Sequence, residues 1–139
     1  MNENKSRSLT KGIIWRIISI ILLAFITYIF TNDLITVSLV TVVSNTIFLI
    51  YYYIHERIWL CIKRPKTIIK RSLAKMFTYI TFSAIFVLFP VTFLFTNNTD
   101  ATIKITLIYS VLKHIMYVFN EIIWYKIKWG INEPKGVNS

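Results

Sequence analysis

The chain has 139 residues, 55% hydrophobic and 16% aromatic, with 16% charged and a formal net charge of +10 from 16 Lys and Arg against 6 Asp and Glu. So little charge excludes an ordinary soluble globular domain, and so much Ile, Leu and Phe excludes a disordered chain. The excess of cations would suggest a nucleic-acid binder in a soluble protein, but here they stand at the ends of long apolar runs, so the expected partner is a lipid bilayer and no nucleic acid.

Four cations, Lys5, Arg7, Lys11 and Arg16, precede or open the first apolar run, which predicts a helix over 13–30. No small-residue cleavage site follows it, so this run is expected to stay as a span. Asn32-Asp33 supplies turn chemistry, because Asn and Asp satisfy neighbouring backbone groups locally, and a second helix is predicted over 34–54. A basic connection carries Arg57, Lys63, Arg64, Lys66, Lys70, Arg71 and Lys75. A third helix is predicted over 76–95, bent near Pro90, where the missing N–H frees a carbonyl. A turn at Asn97-Asn98 leads to a fourth helix over 102–124, and Lys126, Lys128 and Lys135 follow. Each predicted helix has about 18 to 23 residues, enough at ~1.5 Å per residue to cross a hydrocarbon layer of ~30 Å.

The cations alternate with the spans in a positive-inside pattern. Both termini and the middle connection are therefore expected in the cytoplasm, with the two short turns outside, in a cytoplasmic (inner) membrane. The basic segment 57–75 sets that topology and is a candidate contact for anionic lipid. The single Cys61 cannot form an internal disulfide.

The two hairpins resemble each other. At an offset of 65, Phe30-Thr31-Asn32 matches Phe95-Thr96-Asn97, and Thr41, Tyr52, Glu56, Trp59 and Ile62 match Thr106, Tyr117, Glu121, Trp124 and Ile127. Upstream the offset is 64, pairing Ser8, Lys11, Ser19 and Phe25 with Ser72, Lys75, Ser83 and Phe89, so one extra residue enters the third helix near Pro90. Two copies with an even number of spans cross in the same direction, as parallel repeats. The expected fold is all-α, an integral membrane four-helix bundle of two parallel-repeat hairpins, with repeat units 1–65 and 66–139. Pairing of hairpins, or of whole chains in a homo-oligomer, covers their polar faces.

One face of the second helix is expected to be polar at Ser38, Thr41, Asn45, Tyr52, Glu56 and Trp59; on the fourth it is Thr102, Thr106, Ser110, Lys113, Tyr117, Glu121 and Trp124. Lipid cannot hydrogen-bond these groups, so the faces look toward protein or water, and small hydroxyls and amides of this kind commonly hold helices together. Lys113 lies 11 residues before Trp124, about 16 Å along the axis; a lysine at that depth needs water, Tyr117 or a carboxylate beside it, or is made neutral by desolvation. His114 points to a neighbouring face. Arg16 is expected to pair with Glu56 or Glu121 near the cytoplasmic interface. Trp15, Trp59, Trp124 and Tyr51-Tyr52-Tyr53 stand where an aromatic belt belongs. No Gly-rich phosphate loop, metal-ligand spacing or catalytic set is present, and His55 and His114 lie on different helices, so neither cofactor nor metal nor enzymatic activity is expected.

Lys11-Gly-Ile-Ile-Trp-Arg16 and Tyr52-Tyr53-Ile-His55-Glu56-Arg57-Ile-Trp59 resemble the signature of DUF2061, a bacterial family of predicted membrane proteins of unknown function. The resemblance implies a two-helix hairpin unit, found in tandem, with a lysine one turn before the paired tyrosines. Phe48 stands there in the first half and Lys113 in the second, and Asn120-Glu121-Ile122 replaces His-Glu-Arg. It implies no established activity. Some members are joined to sulfate-activating enzymes, so for a transport role it implies an anion. Two functions follow: a non-enzymatic, oligomerising hairpin protein with a polar inter-helix face, or a small channel or carrier that uses the Lys113 and Glu121 face.

Overall fold

The structure, a computed structural model, describes residues 2–62 and 68–132. With no water to compete for backbone hydrogen bonds in hydrocarbon, apolar runs close into helices. The chain forms α1 (Lys5–Thr31), α2 (Leu34–Cys61), α3 (Ile68–Ser83), a π-helical turn (Ala84–Leu88), α4 (Phe89–Thr96) and α5 (Thr99–Lys126). The segment from α3 through α4 is one continuous rod, so four rods stand side by side, each long and apolar enough to cross a membrane. Two-residue strands β1 (Asn2–Glu3) and β2 (Ile131–Asn132) pair antiparallel and tie the two ends of the described chain together.

The helices run further than the apolar stretches do. Arg57 lies on α2, and Lys70, Arg71 and Lys75 lie on α3, so the expected basic connection over 57–75 is largely helical. Charged side chains are solvated at the membrane surface while the backbone ladder continues beneath them. Lys63, Arg64 and Lys66 lie outside the described residues.

Both turns use the same device. Asn32 ends α1 at φ 51° and ψ 26°, and Asn97 ends α4 at φ 50° and ψ 28°, the left-handed conformation that Asn tolerates. Asp33 then caps α2, its carboxylate accepting from the Ile35 and Thr36 N–H groups and the Thr36 hydroxyl, and Asn98 caps α5 by accepting from the Ala101 N–H. The Thr36 hydroxyl, then the two N–H groups, hold the Asp33 carboxyl below its ordinary value.

Each rod packs on two neighbours: α1 on α2 and α5, and the α3–α4 rod on the same two. One core draws on all four rods, from Leu23 and Ile26 of α1, Phe48 of α2, Val87 and Leu88 of the π turn, and Ile105 and Tyr109 of α5. The two hairpins thus have no separate cores, and residues 65 and 66, between the expected units, lie outside the described residues.

The buried rows keep a constant spacing. Val37, Val40, Thr41, Ser44, Phe48, His55 and Trp59 are buried on α2, and the residues 65 positions later, Thr102, Ile105, Thr106, Tyr109, Lys113, Asn120 and Trp124, are buried on α5. Leu23, Ile26 and Thr27 stand in the same relation to Leu88, Val91 and Thr92, whereas Ser19 and Ser83, also both buried, are 64 apart. The step of one falls inside the π turn, where the Phe89 N–H donates to the Ala84 carbonyl five residues back. A π turn holds one more residue than an α turn and leaves both flanks facing the core. The extra residue therefore sits a turn before the position that matching Phe25 with Phe89 implies. Pro90 lacks an N–H and crowds the carbonyl of the preceding turn, which is where the helix widens.

The α2 face is rotated from the expected one. Ser38 is exposed and Asn45 half-buried, each bonded to a carbonyl of its own helix (Leu34 and Thr41), while Ser44 and His55 point inward. Side chains satisfied within their own helix hold nothing together.

Deleting Phe86, a lipid-facing residue of the π turn, is expected to leave stability within about 1 kcal/mol of native by turning π into α geometry. Deleting the similarly exposed Val111 rotates half of α5 out of register and is expected to cost more than about 3 kcal/mol, read by unfolding in detergent. The lowered Asp33 value makes a second expectation. Its stabilisation is complete above the unfolded-state value near 3.8 and is lost as pH falls through the lower folded value. The native chain should therefore unfold at a higher temperature than Asp33→Ala at neutral pH, and the two curves should converge in acid.

Candidate functional site

The polar and aromatic side chains gather at the end of the bundle that carries both ends of the described chain. A helix C-terminus leaves its last carbonyls unpaired and is the negative end of the helix dipole. At the end of α5, Arg7 of α1 fills this gap: Nη2 donates to the Trp124 carbonyl at 2.6 Å, and Nη1 donates to the carbonyls of Ile127, at 2.6 Å, and Trp129. The guanidinium also lies 5.4 Å from the Trp124 ring centre, and Arg7 is 1% exposed. Gly130 closes the loop at φ +73°, where an added Cβ would stand 2.9 Å from the Arg7 Cβ.

The same contact recurs on the opposite side of the bundle. Arg71 of α3 donates from Nη2 to the Trp59 carbonyl of α2 at 2.7 Å, with its guanidinium 5.9 Å from the Trp59 ring centre. Arg7 and Arg71 are 64 residues apart, and Trp59 and Trp124 are 65 apart. Each hairpin thus caps the last helix of the other. The aromatic rings are exchanged in the same way. Trp15 of α1 meets Tyr117 of α5 edge to face (5.4 Å, 88°), and Tyr79 of α3 meets Tyr52 of α2 (5.6 Å, 86°).

Two clefts flank these pairs. One, of about 310 Å³, includes Trp15, Tyr52, His55, Lys75, Tyr79 and Tyr117 in its lining. The other, of about 520 Å³, includes Gly12, Trp15, Arg16, Leu49, Tyr52 and Tyr79. Lys113 lies behind Tyr79. It is 4% exposed, and its ammonium stands 4.8 Å from the Phe48 ring centre, 5.0 Å from that of Tyr109 and 5.7 Å from that of Tyr79. No carboxylate pairs with it among the described residues.

The expected site residues divide accordingly. Lys113, Tyr52, Tyr117, His55 and Arg16 come together around the clefts. Glu121 pairs with Lys11 at 2.6 Å instead of Arg16, which forms no ion pair among the described residues. Lys11 stands just over one turn before Arg16 on α1, nearer the membrane surface, where an ion pair is less costly. The Glu56 side chain lies outside the described residues. His55 accepts from the Trp59 indole N–H at Nε2 (3.1 Å), beside the Thr78 hydroxyl at 3.1 Å. His114 bonds the Ser110 carbonyl of its own helix through Nδ1 at 2.6 Å and rests on Phe77. Arg57, exposed, stacks on Tyr53 one turn back, and Asn45 stays on its own helix. Arg7, Arg71, Tyr79, Tyr109 and Ser44 were not among the candidates. Arg7 and Arg71 could have been found, since they adjoin the matched Ser8 and Ser72.

Residues 9–60 match the family model DUF2061, described as a predicted membrane protein. The match covers α1 and α2 without their outermost ends, less than half of the chain. No curated protein matches, and no solved structure does. This hairpin is therefore similar to an uncharacterised class of membrane protein, and four membrane-length apolar helices agree with that class.

Removing the Arg7 cap strands three carbonyls, one of them buried. Arg7→Leu is expected to destabilise the bundle by about 2–4 kcal/mol. Arg71→Leu, with a single carbonyl at stake, is expected to cost about 1–2 kcal/mol, both read by thermal unfolding in detergent.

Proposed function

We propose that the chain is a multi-pass protein of the cytoplasmic membrane, built from two copies of the DUF2061 hairpin, and that its role is non-enzymatic assembly of helical hairpins. The observation that carries this is the reciprocal exchange of caps, Arg7 on the end of α5 and Arg71 on the end of α2. An Arg that caps the other hairpin's helix leaves each hairpin incomplete alone, so the polar inter-helix face is closed by hairpin-to-hairpin pairing. Two hairpins of one chain make this contact here, and two chains would make the same contact in a homo-oligomer. The matching turn dihedrals and the constant spacing of the buried rows support duplication.

The distribution of cations supports cytoplasmic termini. Arg57 and Lys70, exposed at the same end, together with Lys63, Arg64 and Lys66 outside the described residues, would form a basic rim for anionic lipid. A channel is less well supported, because Leu23, Val40, Leu88 and Ile105, one from each rod and each 0% exposed, lie at similar distances from the two turns and leave no open route between the ends.

Separate polypeptides 1–65 and 66–139, expressed together, are expected to co-purify in detergent; failure of the pair to associate would contradict the assembly role. Cys61, exposed at the end of α2, reports topology. A membrane-impermeant thiol reagent added to spheroplasts should leave Cys61 unlabelled and should label Asn97→Cys in a Cys61→Ser background. The opposite pattern would invert the topology.

A further inference from the structure

Lys113 stands halfway along α5, about 20 Å from either end at ~1.5 Å per residue, in a helix of membrane length. A cation at that depth costs about 3 kcal/mol or more on insertion scales unless something neutralises it. The rings of Phe48, Tyr79 and Tyr109 supply part of that, each turning its electron-rich face toward the ammonium. No carboxylate does so among the described residues.

A second cation lies nearby in the same condition. Arg16 lines the larger cleft with Tyr79, the ring that also covers Lys113. Of its two expected partners, Glu121 is taken by Lys11, and the Glu56 side chain lies outside the described residues. The two cations flank the Tyr79 ring, and neither has a carboxylate partner among the described residues.

Hydroxyl groups complete the environment. Tyr109, one turn from Lys113, and Ser44, one turn from Phe48, are 2% and 0% exposed; the Tyr109 hydroxyl lies by Ser19, and the Ser44 hydroxyl makes no hydrogen bond among the described residues. A buried hydroxyl without a partner is costly, and it can donate to an anion.

We propose that a small inorganic anion of halide size binds between Arg16 and Lys113, with the Tyr109 and Ser44 hydroxyls as further donors, entering past Tyr79 from the cleft at the terminal end of the bundle. The buried layer of Leu23, Val40, Leu88 and Ile105 closes the other side, so the site is a one-ended pocket. It does not depend on whether the chain is a duplication. A lipid phosphodiester is a poorer occupant, because Lys113 is 4% exposed and a headgroup brings its glycerol with it.

Chloride is the probe, and the full chain in phosphatidylcholine nanodiscs is the sample. The ³⁵Cl NMR line is expected to broaden saturably with the native chain, with at least tenfold weaker affinity for Lys113→Met and several-fold weaker for Arg16→Gln. The exposed turn-end variant Lys104→Gln is expected to broaden the line as the native chain does. Circular dichroism and size-exclusion elution identify any variant that fails to fold; if Lys113→Met is one, Arg16→Gln still decides the matter. Absence of saturable broadening with the native chain overturns the proposal, as does native-like affinity in folded Lys113→Met or Arg16→Gln. Abolition of the signal by phosphatidylglycerol at constant chloride would assign the site to a lipid headgroup and also overturn it. Chloride flux into proteoliposomes should not exceed that of protein-free vesicles, and Lys113-dependent flux would overturn the one-ended pocket.

Discussion

Hydrocarbon offers no hydrogen bonds, and that constraint shapes every polar contact in this bundle. Backbone groups retreat into four long helices, and hydroxyls such as those of Ser38, Thr46 and half-buried Ser110 retreat onto carbonyls of their own helix. What a helix cannot satisfy by itself is its own C-terminus. The end of α5 obtains donors from the Arg7 guanidinium of α1, and at the end of α2 the Trp59 carbonyl accepts from Arg71 of α3 as well as from the Ile62 N–H. The stacked Trp59 and Trp124 rings hold those guanidiniums in place and shield the bonds from water.

Close packing in the middle of the bundle is apolar and in register. Leu23 with Leu88 and Val40 with Ile105 form a fully buried layer, and the π turn keeps that register despite one additional residue in the third rod. A plain α-helix with that residue would have rotated Ser83 or Leu88 away from the core by about 100°. Beneath this layer the two halves diverge: Phe48 occupies on α2 the position that Lys113 occupies on α5. The aromatic surroundings of Lys113 come from three different rods, with Phe48 itself one of the rings.

Composition and charge placement fixed the class of solvent, the number of helices, both turns and the depth of Lys113, because these depend only on residue types and on distance along one rod. The Asn32 and Asn97 turns were legible for the same reason: a left-handed Asn followed by a capping Asp or Asn is local chemistry. The spacing also revealed an extra residue in the third helix, and placed it one turn late because only burial distinguishes positions within a continuous apolar run.

Rotation about a helix axis and the choice of partner were decided by tertiary structure alone. Serines and asparagines at helical spacing mark a polar face equally well whether they bond to their own helix or to another, so Ser44 and His55, instead of Asn45 and Tyr52, could be recognised as inward only once the neighbouring rods were in place. Arg7 and the carbonyl of Trp124 are 117 residues apart, and Glu121 had Lys11 and Arg16 at nearly equal claim. One-dimensional spacing gives which residues share a face of a rod and how far along it they stand. Which charge meets which carbonyl or carboxylate depends on how four rods are rotated against one another, and the packing of their buried rows sets that rotation.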